Sequence, residues 1–386
     1  MEMEEKGKEE EEQWNAETQR SSIPHDLMVE ILLRTPCKSL LRFRCVCKLW
    51  DSIIKDPQFT YLHFQCRERK DEFHRPIMIS HDWCFGRGIV HLNHIHSSPS
   101  NQLWELGELL ITSLCEGFSM SSSINGLICL DETTSVIICN PIIGRYVSLP
   151  PCQCRLKLDL NLLYTSSKDF IGFGFHSSTR QYKVLHSLNL SRDFDIPEVY
   201  HEIFTLGSQS WRRLDGRDYR FHPDSNTMTY FDGALYFFGE NNPRAQVIIV
   251  AFDVGDENFR RVQPPCKCGD DPFHMSMVEL NGNLCLADNE VGVSGRVDIW
   301  VLKECMWIKK YSISFEVIGA LSWEGFPILI RDGKIVFETM MLVEADNSRV
   351  LEFISYDIQN KKSTKIYLCP SGTSKVRDYV ESLVWV

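Results

Sequence analysis

Two different hydrophobic patterns divide this chain. Between Ile23 and Phe64, apolar residues recur every three or four positions, which is the period of an α-helix with one buried face. From about residue 75 onward, short apolar runs of strand length alternate with polar turns. The pattern predicts a small helical module followed by a large β domain.

The first predicted helix begins near Pro24, a residue that suits the start of a helix because its missing N–H would have no partner there. Asp26 places negative charge at the positive end of the helix dipole. Leu27 and Ile31 are four positions apart and form one apolar face. Pro36 ends the helix, because the residue before a proline is disfavoured in the α conformation.

Two more short helices are predicted, one over residues 37–43 and one carrying Val46, Trp50 and Ile53 as an apolar stripe that Asp56-Pro57 ends. Helices this short are marginal in isolation, so we expect the module to be completed by packing on another surface. Basic residues between the apolar positions favour an acidic partner. They are Lys38, Arg42, Arg44 and Lys48.

The β region repeats with a period of about 50 residues. Turn dipeptides typical of two-residue hairpins recur between its apolar runs, namely Asn125-Gly126, Asp232-Gly233, Asn281-Gly282 and Asp332-Gly333. The last three glycines are 49 and 51 positions apart, whereas 107 positions separate Gly126 from Gly233. We therefore expect one further, longer turn within residues 173–184.

This period, with four short strands in each unit, is typical of a β-propeller. Val297, Ile299 and Val301 alternate with Trp300 and Leu302, which predicts a strand buried on both faces between neighbouring sheets. We count about six units, the first of them weakly marked within residues 76–114. The apolar last strand, residues 379–386, is predicted to close the ring by completing the first unit. An open solenoid or a β-sandwich is the alternative.

Composition narrows the class of partner. The 386 residues carry a net charge of −11 and no long basic stretch, which argues against a nucleic-acid partner. No apolar run approaches the length of a membrane span, and the acidic start of the chain does not resemble a secretion signal. We therefore expect a cytoplasmic or nuclear protein whose 15 cysteines, an odd number, are free thiols.

No motif for catalysis or for a cofactor is present. The chain has no nucleophile elbow, phosphate-binding loop, metalloprotease motif or dinucleotide fingerprint. The pairs Cys152/Cys154 and Cys266/Cys268 lack the two-to-four-residue spacer usual in structural zinc sites. The expectation is a non-enzymatic protein with no metal and no cofactor.

The helical module resembles the F-box, which docks on the SKP-type adaptor of cullin–RING ubiquitin ligases. The resemblance rests on Ile-Pro-His-Asp-Leu (23–27), Glu-Ile-Leu (30–32), Leu-Leu-Arg-Phe-Arg-Cys-Val-Cys-Lys-Leu-Trp (40–50) and Ile53. It implies that ten residues divide between adaptor contact and the module's own core, without indicating which do which. These residues are Ile23, Pro24, Leu27, Ile31, Leu32, Leu40, Val46, Cys47, Trp50 and Ile53.

The β region resembles the plant F-box-associated interaction domain, a propeller related to the kelch type; the chain contains no Gly-Gly, the paired mark of kelch blades. The matching segments include Asn125 to Leu130, Asn140-Pro141, Gly172 to Gly174 and Thr205 to Arg212. We therefore divide the chain into an acidic disordered tail (1–20), an F-box (21–65), a charged hinge (66–74) and a propeller (75–386).

Together the two resemblances imply a substrate receptor of an SCF-type ubiquitin ligase. Its F-box would bind the adaptor and, through it, the cullin and RING subunits, while the propeller would bind a target protein that the sequence does not identify. Connections at 215–226, 289–296 and 343–349 are candidates for target binding. The alternatives are an adaptor-bound scaffold without a degradation role, and a propeller lectin or enzyme with an incidental helical amino terminus.

Overall fold

The computed structural model describes sixteen stretches of the chain, which leave the predicted tail, residues 1–20, outside the described residues. The stretches are residues 23–68, 74–81, 89–94, 104–110, 118–131, 135–153, 168–190, 198–215, 219–222, 228–240, 247–265, 272–290, 295–318, 325–343, 348–369 and 375–385.

Within residues 23–68, the described part of the amino-terminal module, there are four helices where three were predicted. They are α1 (His25–Leu33), α2 (Cys37–Phe43), α3 (Lys48–Lys55) and α4 (Pro57–Glu68). Asp56 ends α3 as predicted, but it also begins α4, because its carboxylate accepts hydrogen bonds from the backbone N–H groups of Gln58 and Phe59 at 2.8 and 2.9 Å. None of the helices in the described ranges has the length and apolar character needed to cross a membrane.

Two details of the predicted helices need correction. Val46 was placed in a helical stripe with Trp50 and Ile53, yet α3 begins at Lys48 and Val46 lies before it, 62% exposed. Arg67 was placed in a charged hinge, yet it lies in the last turn of α4 and is buried. The missed helix thus extends the module to Glu68. Five residues separate Glu68 from the first strand, which begins at His74.

The β region is a ring of six sheets, hereafter blades 1 to 6, as the predicted count of about six requires. Blade 1 contains β1 (His74–His81), β2 (Ile89–His94), β3 (Trp104–Leu110) and β25 (Lys375–Val380). Blade 2 contains β4 (Ser119–Met120), β5 (Ile128–Asp131), β6 (Val136–Asn140) and β7 (Arg145–Ser148). Blade 3 contains β8 (Lys168–His176), β9 (Gln181–Leu190), β10 (Glu198–Thr205) and β11 (Arg212–Leu214).

The second half of the ring follows the same order. Blade 4 contains β12 (Arg220–Phe221), β13 (Thr229–Phe231), β14 (Ala234–Glu240), β15 (Ile248–Asp253) and β16 (Phe259–Val262). Blade 5 contains β17 (Met275–Glu279), β18 (Leu284–Glu290), β19 (Arg296–Lys303) and β20 (Met306–Ser314). Blade 6 contains β21 (Gly325–Arg331), β22 (Lys334–Val343), β23 (Ser348–Asp357) and β24 (Lys362–Cys369). A 3₁₀ turn (Pro272–His274) precedes β17, and a short helix, α5 (Phe315–Ile318), follows β20.

The last strand closes the ring by completing blade 1. β25 pairs antiparallel with β1, with Ile77 opposite Arg377, so the first blade takes one strand from the end of the chain. The predicted strand over residues 379–386 was placed too late, since β25 ends at Val380 and residues 381–385 leave the sheet. Closure in this way fastens the first blade to the end of the chain, while each blade keeps one short outer edge.

The core lies between neighbouring blades. As predicted for β19, Val297, Ile299 and Val301 belong to the cluster between blades 5 and 6, whereas Trp300 belongs to the cluster between blades 4 and 5. Both faces of this strand are therefore buried, which explains why its sequence is a continuous apolar run.

The predicted two-residue turns are confirmed at all four dipeptides. In each, both residues have positive φ, for example 52° at Asn125 and 77° at Gly126. The longer turn expected within residues 173–184 occupies residues 177–180 between β8 and β9. These turns follow the innermost strands of blades 2 to 6, so they lie at one end of the ring, hereafter the turn end.

Candidate functional site

One face of α1 is apolar and open to solvent. Leu27 and Ile31, one helical turn apart on α1, are 56% and 53% exposed, and Ile23, just before the helix, is 51% exposed. On the opposite face of the same helix, Leu32 is fully buried. Large apolar side chains that stay exposed beside an already filled core are typical of a surface that binds another protein.

The structure separates the ten predicted F-box residues into two groups. Leu32, Leu40 and Ile53 are buried in the core of the module, and Trp50 is partly buried against it with its ring centroid 5.3 Å from that of Phe43. The exposed group comprises Ile23, Pro24, Leu27, Ile31, Val46 and Cys47.

Leu49 is an exposed apolar residue that was not among the ten. It lies three positions after Val46, and the two side chains are 46% and 62% exposed. Leu49 was not predicted because the apolar stripe of this segment was assigned to Val46, Trp50 and Ile53. Instead, Leu49 and Val46 extend the exposed apolar surface.

Three of the four basic residues flanking this surface are unpaired among the described residues. Lys38, Arg42 and Lys48 are exposed and form no salt bridge to any side chain in the described ranges. Arg44, in contrast, is tied to Asp51, with 2.9 Å between Nε and the carboxylate. Hydrogen bonds from Lys55 and Arg44 hold the pKa of Asp51 below its usual value, so this carboxylate stays charged and keeps Arg44 engaged.

The missed helix α4 attaches the F-box to the turn end of the propeller. Phe64 is buried in the cluster between blades 2 and 3, together with Ile124 and Leu127 of the first turn. The guanidinium carbon of Arg180, in the β8–β9 turn, lies 5.0 Å from the ring centroid of Tyr61. The two domains therefore share a core through α4.

The carboxy-terminal segment fills the space between the two domains. After β25, Leu383 enters the core of the F-box, where it packs in one cluster with Leu40 and Phe59. On the propeller side, Asn140 is fully buried and donates hydrogen bonds to the carbonyl oxygens of Ser382 and Val384 at 3.0 and 2.8 Å. Removal of the last five described residues would thus open both domains.

A cavity of about 330 Å³ occupies the centre of the ring. Its wall is formed by innermost-strand residues such as Met120, Thr229 and Met277, while Phe64 and Glu68 of α4 line it at the turn end. Acidic and basic groups both face it, including Glu338 and Arg377, which are 3.7 Å apart. α4 covers the turn end of this cavity. The other end of the ring faces away from the F-box.

Comparison with known protein families matches both parts of the chain. The family described as the F-box domain matches residues 21–62, and the family described as the F-box associated beta propeller domain matches residues 86–384. The first match contains α1 to α3 and the exposed apolar residues, and the second contains nearly the whole ring.

Relatives of similar length align with most of the chain. F-box protein At3g07870 of Arabidopsis thaliana is 27% identical over 321 residues, covering 76% of this chain and 72% of the relative. F-box/kelch-repeat protein At3g23880 of the same plant is 25% identical over 367 residues, covering 90% and 94%. The six-bladed propeller of Aleuria aurantia lectin aligns with 10% identity and a TM-score of 0.45, over 78% of this chain and 97% of the lectin, which is too low to support a conclusion. The chain belongs to the F-box associated β-propeller family and carries an F-box domain at its amino terminus.

Proposed function

We propose that this chain is the substrate-recognition subunit of an SCF-type cullin–RING ubiquitin ligase. In this proposal the F-box binds an SKP-type adaptor, and through it the cullin and RING subunits, while the propeller binds a target protein. The observation that carries the proposal is the exposed face of α1: Ile23, Leu27 and Ile31 are half-exposed although the core beneath them is complete.

The adaptor contact would consist of an apolar centre with a basic margin. The exposed apolar group defined above supplies the centre, and Leu49 extends it. Covering one such side chain contributes about 1.5–3 kcal/mol when burial is complete, so a few of them suffice for specific binding. The exposed Lys38, Arg42 and Lys48 would speed association with an acidic partner more than they would strengthen it.

The buried residues of the predicted site would act indirectly. Leu32, Leu40, Trp50 and Ile53 fix the helices relative to each other, so their replacement would weaken adaptor binding by deforming the module. Replacement of Leu27 or Ile31 would weaken it while leaving the module folded. This distinction separates contact residues from core residues in an experiment.

Target binding is assigned to the end of the ring opposite the F-box. The turn end is covered by α4 and the carboxy-terminal segment, through Phe64 and Leu383. The strand ends that flank the connections at 215–226, 289–296 and 343–349 lie at the other end, because β11, β18 and β22 all run away from the turn end. The shared core between the domains would then hold the target at a fixed position relative to the adaptor, which raises the effective concentration of its lysines.

The proposal is tested by capturing proteins with the full chain from cells in which the proteasome is inhibited. Leu27→Ala with Ile31→Ala should leave capture by the propeller unchanged and abolish ubiquitination of the captured target. The matched control is Met306→Ala with Ile308→Ala, a pair equally exposed on blade 5, which should change neither. If capture persists and ubiquitination is the same with all three proteins, the target is not ubiquitinated through the α1 face and the proposal is wrong.

A further inference from the structure

Three metal-ligating side chains that belong to no predicted site converge between blades 2 and 3. The Sγ of Cys152, a ring nitrogen of His186 and a carboxylate oxygen of Glu202 all lie within 4.8 Å of one another. The three residues are buried, with exposed fractions of 2%, 0% and 6%. They form the only such group found in the described part of the chain.

The fold brings the three residues together from separate segments. His186 on β9 and Glu202 on β10 are directly opposite each other in the antiparallel pairing of blade 3. Cys152 lies on the connection that leaves blade 2, where the indole N–H of Trp211 donates a 2.6 Å hydrogen bond to the carbonyl of Pro150. This bond holds the connection against blade 3. The position of the Cys152 thiol is therefore set by the backbone.

A fourth group with a ligating atom lies beside them. Asp169 on β8 is hydrogen-bonded through its carboxylate to Nε2 of His186. Burial alone would lower the pKa of His186, but the charge of Asp169 and its hydrogen bond outweigh burial and raise it to about 9. Asp169 and Cys152 therefore approach the same ring nitrogen of His186.

The separation of the sulfur and nitrogen donors fits zinc with little movement. At usual zinc–sulfur and zinc–nitrogen lengths, a tetrahedral ion separates its sulfur and nitrogen ligands by about 3.6 Å. Here Sγ of Cys152 and Nε2 of His186 are 3.9 Å apart. Thiolate, imidazole and carboxylate together are a donor set typical of zinc, whereas magnesium and calcium prefer oxygen ligands alone.

We propose that Cys152, His186 and Glu202 bind a zinc ion, with the carboxylate of Asp169 beside them. The Cys152 thiol loses its proton on binding, and His186 coordinates through Nε2 in its neutral form. Since all three ligands are buried and join the blade 2 connection to two strands of blade 3, the ion would fasten that connection to blade 3. A site assembled from three segments would not form in the unfolded chain, so binding would stabilise the fold.

The cluster differs from the cysteine pairs considered for zinc in the sequence. Cys154, Cys266 and Cys268 lie outside the described residues, so the pairs themselves are not part of this proposal. No metal site is predicted from the sequence, because Cys152, His186 and Glu202 are far apart in the chain and follow no spacing motif. The site becomes evident only once the pairing of β9 with β10 is known.

The test uses the full chain, purified without chelator, and measures its metal content and its thermal stability. We expect about one zinc ion per chain, a fall in Tm on treatment with chelator, and recovery when zinc is added back. Replacement of zinc by cobalt should give a thiolate-to-cobalt charge-transfer band. Cys152→Ala should remove the metal, the band and the response to chelator.

Cys139→Ala is the matched control, because Cys139 is also buried in the blade 2 region but lies outside the cluster. It should keep the metal, the band and the response. Glu202→Gln, which preserves the shape of the side chain, provides a second variant and should weaken zinc binding if Cys152→Ala does not fold. The proposal would be overturned by a metal-free chain that gives no cobalt band, or by a Cys152→Ala protein that binds cobalt with the same band. The close approach of the three side chains would then be explained by a protonated His186 between carboxylates.

Discussion

The side-chain amide of Asn140 donates a 3.0 Å hydrogen bond to the carbonyl oxygen of Ser382, which joins the end of β6 in blade 2 to the segment that follows β25. The same amide donates to the carbonyl of Val384 at 2.8 Å, and its oxygen accepts the N–H of Ile142. All of these atoms are in the region where the propeller meets the F-box. One fully buried asparagine thereby fixes the carboxy-terminal segment that inserts Leu383 into the F-box core.

Loss of this amide should destabilise the whole protein. Asn140→Ala leaves two carbonyl oxygens buried without their donor, at a cost of about 1–3 kcal/mol for each unsatisfied group. We expect a clear fall in the midpoint of urea unfolding. Gln359→Ala, an exposed position on a turn of blade 6, is the control and should have little effect. An Asn140→Ala protein as stable as the control would show that the segment is held by other contacts.

Gly126 and Gly233 provide a matched pair for the same region. Their φ angles are +77° and +78°, so an alanine is strained equally at either position. A Cβ on Gly126 would lie 2.2 Å from Cβ of Ser382, whereas a Cβ on Gly233 would meet nothing within 4 Å. Gly233→Ala should therefore cost about 1–2 kcal/mol from backbone strain alone, and Gly126→Ala at least twice as much. Equal losses in the two unfolding curves would contradict the close contact between the first turn and the carboxy-terminal segment.

Buried and exposed cysteines should differ in their reactivity toward an alkylating reagent. Burial raises the pKa of Cys37, Cys139 and Cys285 to about 12, so these thiols should resist alkylation at pH 8. Cys47 and Cys305 are exposed and should react. Mass spectrometry of the alkylated peptides shows which cysteines have reacted. The same measurement can locate the adaptor contact: a bound SKP-type adaptor should slow modification of Cys47 and leave Cys305 unaffected. If the adaptor protected Cys47 and Cys305 from alkylation equally, or protected neither, the result would argue against adaptor contact at the F-box surface.

A salt bridge between blades 3 and 4 should make stability depend on pH. Glu257 accepts a 2.8 Å hydrogen bond from the buried Nζ of Lys183 and another from Arg212. Burial alone would raise the pKa of Glu257, but these two hydrogen bonds outweigh burial and hold it below its ordinary value of 4.5. The pKa is lower in the folded chain, so the carboxylate stabilises the fold above about pH 4.5, and this contribution is lost as the pH falls further.

Glu257→Gln should accordingly lower the free energy of unfolding by about 1–3 kcal/mol at pH 7. The difference from the unchanged protein should shrink as the pH drops below 4.5. Glu316→Gln, at an exposed position, should show neither effect. Thermal unfolding followed between pH 7 and pH 4 measures the stability of both proteins. A stability difference that grows as the pH falls would contradict the predicted effect of Glu257.

Local chemistry explains what the sequence could predict. The four Asn-Gly and Asp-Gly turns were predictable because only a few residues adopt positive φ readily, so the turn is determined by two neighbouring side chains. The buried faces of β19 and the end of α1 before Pro36 depend on residues within a few positions of one another. The unit length then followed from the spacing of the turns.

Contacts between distant segments explain what it could not. The division of the F-box residues into core and surface depends partly on Leu383, which comes from the other end of the chain. α4 was missed in part because Phe64 packs against the propeller, so it is apolar for a reason that lies outside the module. The Cys152 cluster depends likewise on the pairing of β9 with β10.

The affinity of the full chain for a purified SKP-type adaptor tests the central claim most directly. Leu27→Ala with Ile31→Ala should lose about 2–4 kcal/mol of binding free energy, which is roughly a 30- to 1000-fold rise in Kd, without a change in Tm. Met306→Ala with Ile308→Ala, the equally exposed pair on blade 5, should bind like the unchanged protein. A Kd that is the same for all three proteins, or equally weakened by both pairs, would contradict the assignment of the α1 face as the adaptor-binding surface.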